Sequence, residues 1–401
     1  MDAHGEGETR VVLHALPAGR DELLRLTLKS NSEVEHTDDG GLTSRRWLLV
    51  RATTTRGCVR RAAVTRKGKQ MPDTRALAHL DTLVLPVTQP FNFRYTLWKP
   101  SHFATGLEQH SQEASWRTFR VGELLCGVVM TMNGAGTLRA KVYGDRPWQE
   151  ADRKRLTARL IQSYGLNENI SVFLAHAERV LPMREPLRLL SGMRQSCPEN
   201  LFEIAIISLL LQNATVARTT QMMTNLLDHY GHVVEFDGVR LKAFFTPEEI
   251  TGVDEATFRV RDRLGYRAKY IGRFAEFFAM HDPDDVDHAG KVELMTEFQT
   301  IKGVGPYTAA IIAGHAVRDP SALGLDVWNR KLLAKRFLGM DNAEPEVVMA
   351  EMTRLFPGYE GLAGLYVIED VYRERTVVEL IGPVDHGTGG DATMAAGLTC
   401  E

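Results

Sequence analysis

The residues with the clearest chemical potential lie in the C-terminal third of the chain. Residues 302–307 read Lys-Gly-Val-Gly-Pro-Tyr and open an apolar stretch of helical character, and Asp326 follows as a lone acid within Leu-Gly-Leu-Asp-Val-Trp. A turn of two glycines around one apolar residue leaves backbone amides free at the start of the next helix, and such a helix start attracts anions. If the anion is a DNA phosphate, the carboxylate of Asp326 is placed to face the sugar of the same nucleotide.

The neighbours of the glycine turn favour a phosphate contact over a purely structural connection between two helices. Lys302 adds a cation, Pro306 occupies a position typical of the first residue of a helix, and Thr308 adds a hydroxyl to the first turn. Contacts of this kind fix a protein on the DNA backbone and read no base sequence. The predicted DNA-contacting residues of the turn are Lys302, Gly303, Val304, Gly305 and Thr308.

Asp326 is the candidate catalytic residue. It stands where an N-cap is expected for the helical pattern of residues 327–338, and capping alone would justify an aspartate there. The functional interpretation uses the same physics, because a helix N-terminus keeps a carboxylate ionised. An ionised carboxylate beside a sugar stabilises the positive charge that develops when a glycosidic bond breaks, and it can also orient or deprotonate an attacking water.

The elements that must position these residues change in character along the chain. Residues 1–80 form a sheet-rich extension of unassigned role, and residues 81–147 have the pattern of an antiparallel β domain, with Asn-Gly-Ala-Gly at 133–136 joining two strands. Residues 148–375 show helical spacing, and the Gly-rich residues 376–401 are expected to form a disordered tail. The predicted fold class is α+β, an antiparallel β domain followed by an all-helical domain.

Local signals predict where several helices begin. Ser-Cys-Pro-Glu at 196–199 has the spacing of a capping box in front of an apolar helix at 201–211, and Thr-Pro-Glu-Glu at 246–249 has that of another. The apolar helix is expected to lie in the core because it is hydrophobic almost all round. Gln-Asn-Ala-Thr at 212–215 separates it from the next helix.

Composition limits the kinds of partner and cofactor. The net charge of -3 over 401 residues argues against a uniformly basic nucleic-acid binder. Residues 45–69 carry nine Lys and Arg and no acid, which fits either a local DNA-contacting patch or a solvated sheet surface. The four cysteines are far apart, which argues against a zinc ribbon, a disulfide framework or a cysteine-bound iron–sulfur cluster. No long apolar run predicts a membrane span, and we expect a cytoplasmic protein, nucleoid-associated if it is bacterial.

These residues together resemble the helix-hairpin-helix (HhH-GPD) DNA glycosylase superfamily, the enzymes of base excision repair. Within residues 298–339, the likeness is carried by Gly-Val-Gly-Pro-Tyr-Thr-Ala-Ala at 303–310 and Leu-Asp-Val-Trp-Asn-Arg at 325–330. Asp326 matches the catalytic acid of the family. The resemblance implies a partner, double-stranded DNA with a damaged base, and we expect a monomer. It also implies a monovalent cation on hairpin carbonyls such as those of Ile301 and Gly303, with no other cofactor or metal.

Three further segments extend the resemblance. Residues 210–218 are similar to the family segment whose Gln or Asn side chains fill the gap left by a flipped nucleotide, here Gln212 and Asn213. Leu-Gly-Tyr-Arg-Ala-Lys-Tyr at 264–270 resembles a stretch shared by the 8-oxoguanine and alkylated-base branches. More weakly, the region from Phe-Asn-Phe-Arg at 91–94 to Tyr143 resembles the antiparallel β domain of those branches.

Tyr307 departs from the bifunctional members of the family, in which a lysine stands at this position. Those members form a Schiff base and cut the strand, and a tyrosine cannot form an imine. The sequence therefore predicts a monofunctional glycosylase, in which a water positioned by Asp326 attacks the sugar. Lys302 and Lys331 leave a lyase route open.

Monofunctional chemistry suits a base that already leaves easily, such as the cationic 3-methyladenine. Aromatic rings hold such a base by stacking and cation–π attraction. The predicted base pocket consists of Tyr307 and Trp328, with Phe91, Phe93 and Tyr366 as weaker candidates that core packing would explain equally well. The alternatives are a glycosylase for 8-oxoguanine or another oxidised base, with or without lyase activity, and a non-catalytic protein that binds DNA lesions.

Overall fold

The computed structural model describes residues 25–36, 42–53, 59–63, 74–101, 105–134, 136–282 and 290–381, with side chains from residue 74 to residue 373 except that of Tyr307. The chain divides into two units, Met1–Pro72 and Asp73–Glu401. Among the described residues, no helix combines the length and apolar character that a membrane crossing requires.

The first unit contains a three-stranded antiparallel sheet. Its strands are β1 (Arg25–His36), β2 (Leu42–Thr53) and β3 (Val59–Ala63), in the order β1-β2-β3. The sheet lies in the range that was predicted to be sheet-rich. The basic residues between 45 and 69 fall outside the described side chains, so their two interpretations stay open.

The second unit opens with a five-stranded antiparallel sheet. After the short β4 (Thr74–Ala76) come β5 (Ala78–Pro86), β6 (Glu108–His110), β7 (Ala114–Val121), β8 (Leu124–Met132) and β9 (Thr137–Gly144), paired in the order β5-β9-β8-β7-β6. The predicted hairpin is confirmed, because β8 pairs with β9 directly across residues 133–136. The inner face of this sheet packs on the first long helix through residues such as Val142 and Leu160.

Helices make up most of the remainder of this unit. They are α1 (Phe93–Leu97), α2 (Glu150–Tyr164), α3 (Ser171–Ala177), α4 (Arg184–Leu190), α5 (Leu201–Leu211), α6 (Val216–His229), α7 (Pro247–Ile250), α8 (Glu255–Val260), α9 (Ala268–Phe278), α10 (Lys291–Gln299), α11 (Pro306–Ala316), α12 (Val327–Leu333), α13 (Pro345–Leu355) and α14 (Glu360–Ile381). Antiparallel β domain and helical domain together give the α+β class that the sequence predicts.

Helix α5 forms the centre of the helical core, as its uniform apolarity predicts. Nine of its eleven residues are buried, and they contact side chains of α6, α9 and α11. Its predicted start is wrong: the N-cap is Asn200, whose side chain accepts a hydrogen bond from the Glu203 amide at 2.8 Å. Ser196 lies four residues too early to reach the first helical amides. The capping box at Thr246 is confirmed.

A hairpin inside the helical region is the main element that sequence patterns did not predict. Strands β10 (His232–Phe236) and β11 (Val239–Ala243) pair antiparallel, and β10 also pairs in parallel with β4. Asp237 and Gly238 form the turn with φ of 49° and 75°, the backbone that an Asp-Gly dipeptide favours. Asp237 accepts hydrogen bonds from Trp116 and Tyr143 of the large sheet, so this hairpin ties the helical region to the sheet.

Candidate active site

The glycine turn joins α10 to α11 as a tight hairpin. The Val304 amide donates to the Ile301 carbonyl at 2.9 Å, and Gly303 has a φ of 109°. Gly305 is the N-cap of α11 and Pro306 its first residue, as predicted. Val304 is buried under the hairpin, while Lys302, Gly303 and Gly305 are exposed. The exposed backbone at the start of α11 therefore has the geometry of an anion site.

Replacing Gly303 by alanine tests how far this turn depends on its backbone. A Cβ at this position would overlap the ring of Tyr270, and its φ lies in the left-handed region. We expect Gly303→Ala to lower the free energy of unfolding by about 2–4 kcal/mol, which denaturant titration measures, and to weaken DNA binding.

Gly305→Ala is the matched control for this change. Gly305 has an extended backbone with φ of -86°, and nothing lies within 4 Å of its would-be Cβ. Gly305→Ala should lower the free energy of unfolding by no more than about 1 kcal/mol, the usual effect of alanine at an N-cap. If both substitutions lowered the free energy of unfolding equally, Gly303 would not have the special backbone role proposed for it.

Asp326 is the N-cap of α12, and this prediction is confirmed. Its Oδ1 accepts a hydrogen bond from the Asn329 amide at 2.8 Å, and the Asn329 side chain accepts one from the Asp326 amide at 2.8 Å. Asn329 is buried and also donates to the Gly324 carbonyl at 2.6 Å. Sequence analysis missed Asn329, although its position three residues after an N-cap is the signal of a capping box. The box holds the exposed carboxylate in place through Oδ1.

The structure brings the predicted gap-filling segment next to the hairpin. Gln212 follows the last residue of α5, and its side-chain amide donates to the Thr308 hydroxyl in the first turn of α11 at 3.0 Å. Thr308 is buried, so its hydroxyl links the two segments, while its predicted phosphate contact stays a prediction. Asn213 is exposed, with a φ of 46°.

The five predicted base-pocket aromatics fall into different environments. Trp328 is half-buried in α12, with its ring centroid 5.6 Å from that of Tyr372 in α14. Tyr307 lies in the first turn of α11. Phe91 and Phe93 are partly buried against the core of the large sheet.

Tyr366 does not belong to the predicted pocket. Its side chain is 0 % exposed, its hydroxyl donates to the Met193 carbonyl at 2.9 Å, and its ring packs against Phe173. A fully covered ring has no face left for a base. The direction of this side chain is set by tertiary packing, which the sequence pattern does not show.

A large cleft in the described part of the second unit lies apart from the predicted site residues. This cleft of about 780 Å³ opens between the large sheet and the helices, lined by residues such as Arg120, Phe244 and Met280, and no predicted site residue lines it. No cluster of three or more His, Cys, Asp or Glu side chains able to hold a metal occurs among the described residues. The hairpin carbonyls suit a hard cation in their chemistry, and the cation predicted there stays a prediction.

Comparison with known proteins places this geometry in a family. Residues 206–358, which contain α6 to α13, match the family described as HhH-GPD superfamily base excision DNA repair protein. A probable N-glycosylase/DNA lyase of Methanothermobacter thermautotrophicus is 27% identical over 243 residues, covering 55% of this chain and 75% of the relative. Residues 206–358 thus match the superfamily that the sequence resembled.

Solved structures show the same fold over a longer part of the chain. The 3-methyladenine DNA-glycosylase of Archaeoglobus fulgidus covers 72% of this chain and 98% of its own, with a TM-score of 0.59 and 15% identity. The DNA complex of the 8-oxoguanine glycosylase/lyase of Clostridium acetobutylicum covers 77% and 100%, with a TM-score of 0.55 and 16% identity. These two glycosylases therefore share the fold of this chain.

Proposed function

We propose that this protein is a monofunctional DNA glycosylase that hydrolyses the N-glycosidic bond of an alkylated purine, such as 3-methyladenine, flipped out of double-stranded DNA. The observation that carries the proposal is Tyr307 on the first turn of α11, the position at which the bifunctional members have a lysine. The N-cap position of Asp326 supports it, because it fixes a carboxylate at the start of α12.

The reaction needs one bond to break and one to form at the anomeric carbon. The C1′–N bond breaks with both electrons leaving on the base, and positive charge develops on the sugar. The carboxylate of Asp326 stabilises that charge. A water that Asp326 orients adds its oxygen to C1′ and gives its proton to the carboxylate of Asp326, which then releases it to solvent. The product is an abasic site in an intact strand.

The remaining predicted site residues support DNA binding. The exposed hairpin amides and Lys302 would hold a phosphate of the damaged strand, and Gln212 and Asn213 would occupy the gap left by the flipped nucleotide. A cationic purine fits a ring such as that of Trp328 because cation–π attraction strengthens with positive charge on the base.

A second candidate function is the removal of 8-oxoguanine or another oxidised base. The name of the relative, N-glycosylase/DNA lyase, and the similarity of residues 264–270 to the 8-oxoguanine branch favour it. Tyr307 speaks against its lyase step, because a tyrosine cannot form an imine. Lys302 and Lys331 are close to Tyr307 in sequence but stand outside the position of the family lysine.

A panel of duplexes separates these functions. The purified protein is incubated with DNA carrying 3-methyladenine or 7-methylguanine, 8-oxoguanine, or no lesion, and the released bases are separated and quantified. We expect methylated purines in the supernatant and no 8-oxoguanine. Release of 8-oxoguanine alone would replace the leading proposal by the second. Binding of lesions without release of any base would indicate a lesion-binding protein.

A further inference from the structure

The segment 264–270, which resembled part of the family but had no assigned role, contacts the turn between α5 and α6. Its central residue, Arg267, is 5 % exposed. The guanidinium Nε donates to the Leu209 carbonyl at 3.1 Å, and Nη2 donates to the Gln212 carbonyl. Arg267 therefore closes the C-terminal end of α5 with two hydrogen bonds from one planar group.

This arrangement meets two needs of a helix end. The last carbonyls of a helix have no partner within the helix, and the helix C-terminus favours a positive charge. Burial lowers the pKa of Arg267, and the neighbouring groups that act on it are Tyr266 and a second cation, Arg218. The backbone carbonyls of Leu209 and Gln212 accept the hydrogen bonds of this buried charge.

Tyr266 donates a second hydrogen bond to the carbonyl oxygen of Gln212. Its hydroxyl donates to the Gln212 carbonyl at 3.2 Å, and its ring lies 4.6 Å from the guanidinium of Arg267. The Gln212 side chain donates a hydrogen bond to Thr308 of α11. Gln212 is thus held on one side by residues 266 and 267 and on the other by α11.

The backbone of the next residue, Asn213, explains why these contacts on Gln212 are important. Asn213 is exposed and has a φ of 46°, a left-handed backbone that costs free energy in a residue other than glycine. A short exposed turn with such a backbone keeps one conformation when its surroundings determine it. The contacts on Gln212 supply that constraint immediately before the strained residue.

We propose that Arg267 is a positioning residue which, together with Tyr266, holds the turn at residues 212–215 in the conformation that enters the DNA. This rests on the proposed function, because it assumes that the turn fills the gap of a flipped nucleotide. Arg267 acts through the backbone of Gln212. Its contribution is preorganisation: a turn that is ordered before binding loses less conformational entropy when it inserts.

The test measures insertion without base release. The probe is a duplex with one tetrahydrofuran abasic-site analogue. The affinity of the protein for this abasic duplex is compared with its affinity for the same duplex with a normal nucleotide at that position. Arg267→Met keeps most of the side-chain volume and removes both hydrogen bonds. Tyr266→Phe keeps the ring and removes one. Arg259→Met is the matched control, because Arg259 is half-exposed on α8 and pairs with Glu255 of the same helix.

The preference is the ratio of the affinity for the abasic duplex to that for the normal duplex. We expect Arg267→Met to reduce this ratio about 10-fold or more, and Tyr266→Phe to reduce it about 3-fold. Arg259→Met should keep the wild-type preference. Affinity for the intact duplex should change little in all three variants, because phosphate contacts dominate it.

Thermal melting distinguishes positioning from a merely structural role. A structural role would lower the melting temperature of Arg267→Met and leave the preference of the folded protein unchanged, and that result would overturn the proposal. If Arg267→Met fails to fold, Tyr266→Phe decides, because Tyr266 is 39% exposed and its loss of a hydroxyl leaves packing intact. The outcome is independent of which base the enzyme releases, since the abasic duplex carries none.

Discussion

Asp326→Asn is expected to reduce base release by about 10³-fold while the protein stays folded. Asparagine caps helices as well as aspartate does, so the hydrogen bond to the Asn329 amide survives the change. What is lost is the negative charge beside the developing positive charge of the sugar. Single-turnover release of methylated purine measures the effect, and the melting temperature and the affinity for lesion DNA should stay close to those of the wild type.

Asp254→Asn provides a matched control for this substitution. Asp254 is also a helix N-cap, and its side chain accepts from the Thr257 amide at 2.9 Å at the start of α8. The chemical change is identical, yet Asp254 is not among the candidate site residues. Wild-type release by both variants would mean that Asp326 only caps α12.

The second large effect is a gain of covalent chemistry in Tyr307→Lys. The wild-type protein should give no adduct with abasic DNA after borohydride reduction, because the position of the family lysine holds no amine. Tyr307→Lys places an amine in the first turn of α11, and lysine is tolerated well in helices. We expect a trapped protein–DNA adduct on denaturing gels. Only the unprotonated amine attacks, so the yield should rise with pH until the pKa of the lysine is passed.

Two lysines near the site define the control for this experiment. Lys302→Ala and Lys331→Ala, each introduced into Tyr307→Lys, should keep the adduct. A wild-type adduct that disappears on removal of Lys302 or Lys331 would contradict the monofunctional assignment and favour the lyase alternative.

Features governed by local backbone chemistry were predictable from the sequence. Gly303, Pro306 and Asp326 take the turn, first-helix and N-cap positions that their residue types favour. Asp237-Gly238 is also a dipeptide that favours a tight turn. No hairpin was predicted there because the segments around it were interpreted as helical. Asn200, a better-placed cap than Ser196, shows that a capping box must be judged against its distance from the first helical residue.

Features governed by tertiary packing were not predictable. The hydrogen bond between Gln212 and Thr308 joins residues 96 positions apart, and no periodicity in the sequence encodes it. Arginines are mostly exposed in proteins, but Arg267 is buried, and two carbonyls at the end of α5 accept its hydrogen bonds. Tyr366 was a plausible pocket aromatic until the packing of α14 placed it in the core.

The most direct test of the proposed function is the state of the DNA strand after the wild-type protein has acted on a duplex with a single methylated purine. Free methylated purine should appear, and the strand should stay intact until alkali cleaves it at the abasic site. Strand breaks without alkali would contradict hydrolysis by a water that Asp326 positions. Full retention of the methylated base in the DNA would contradict it as well.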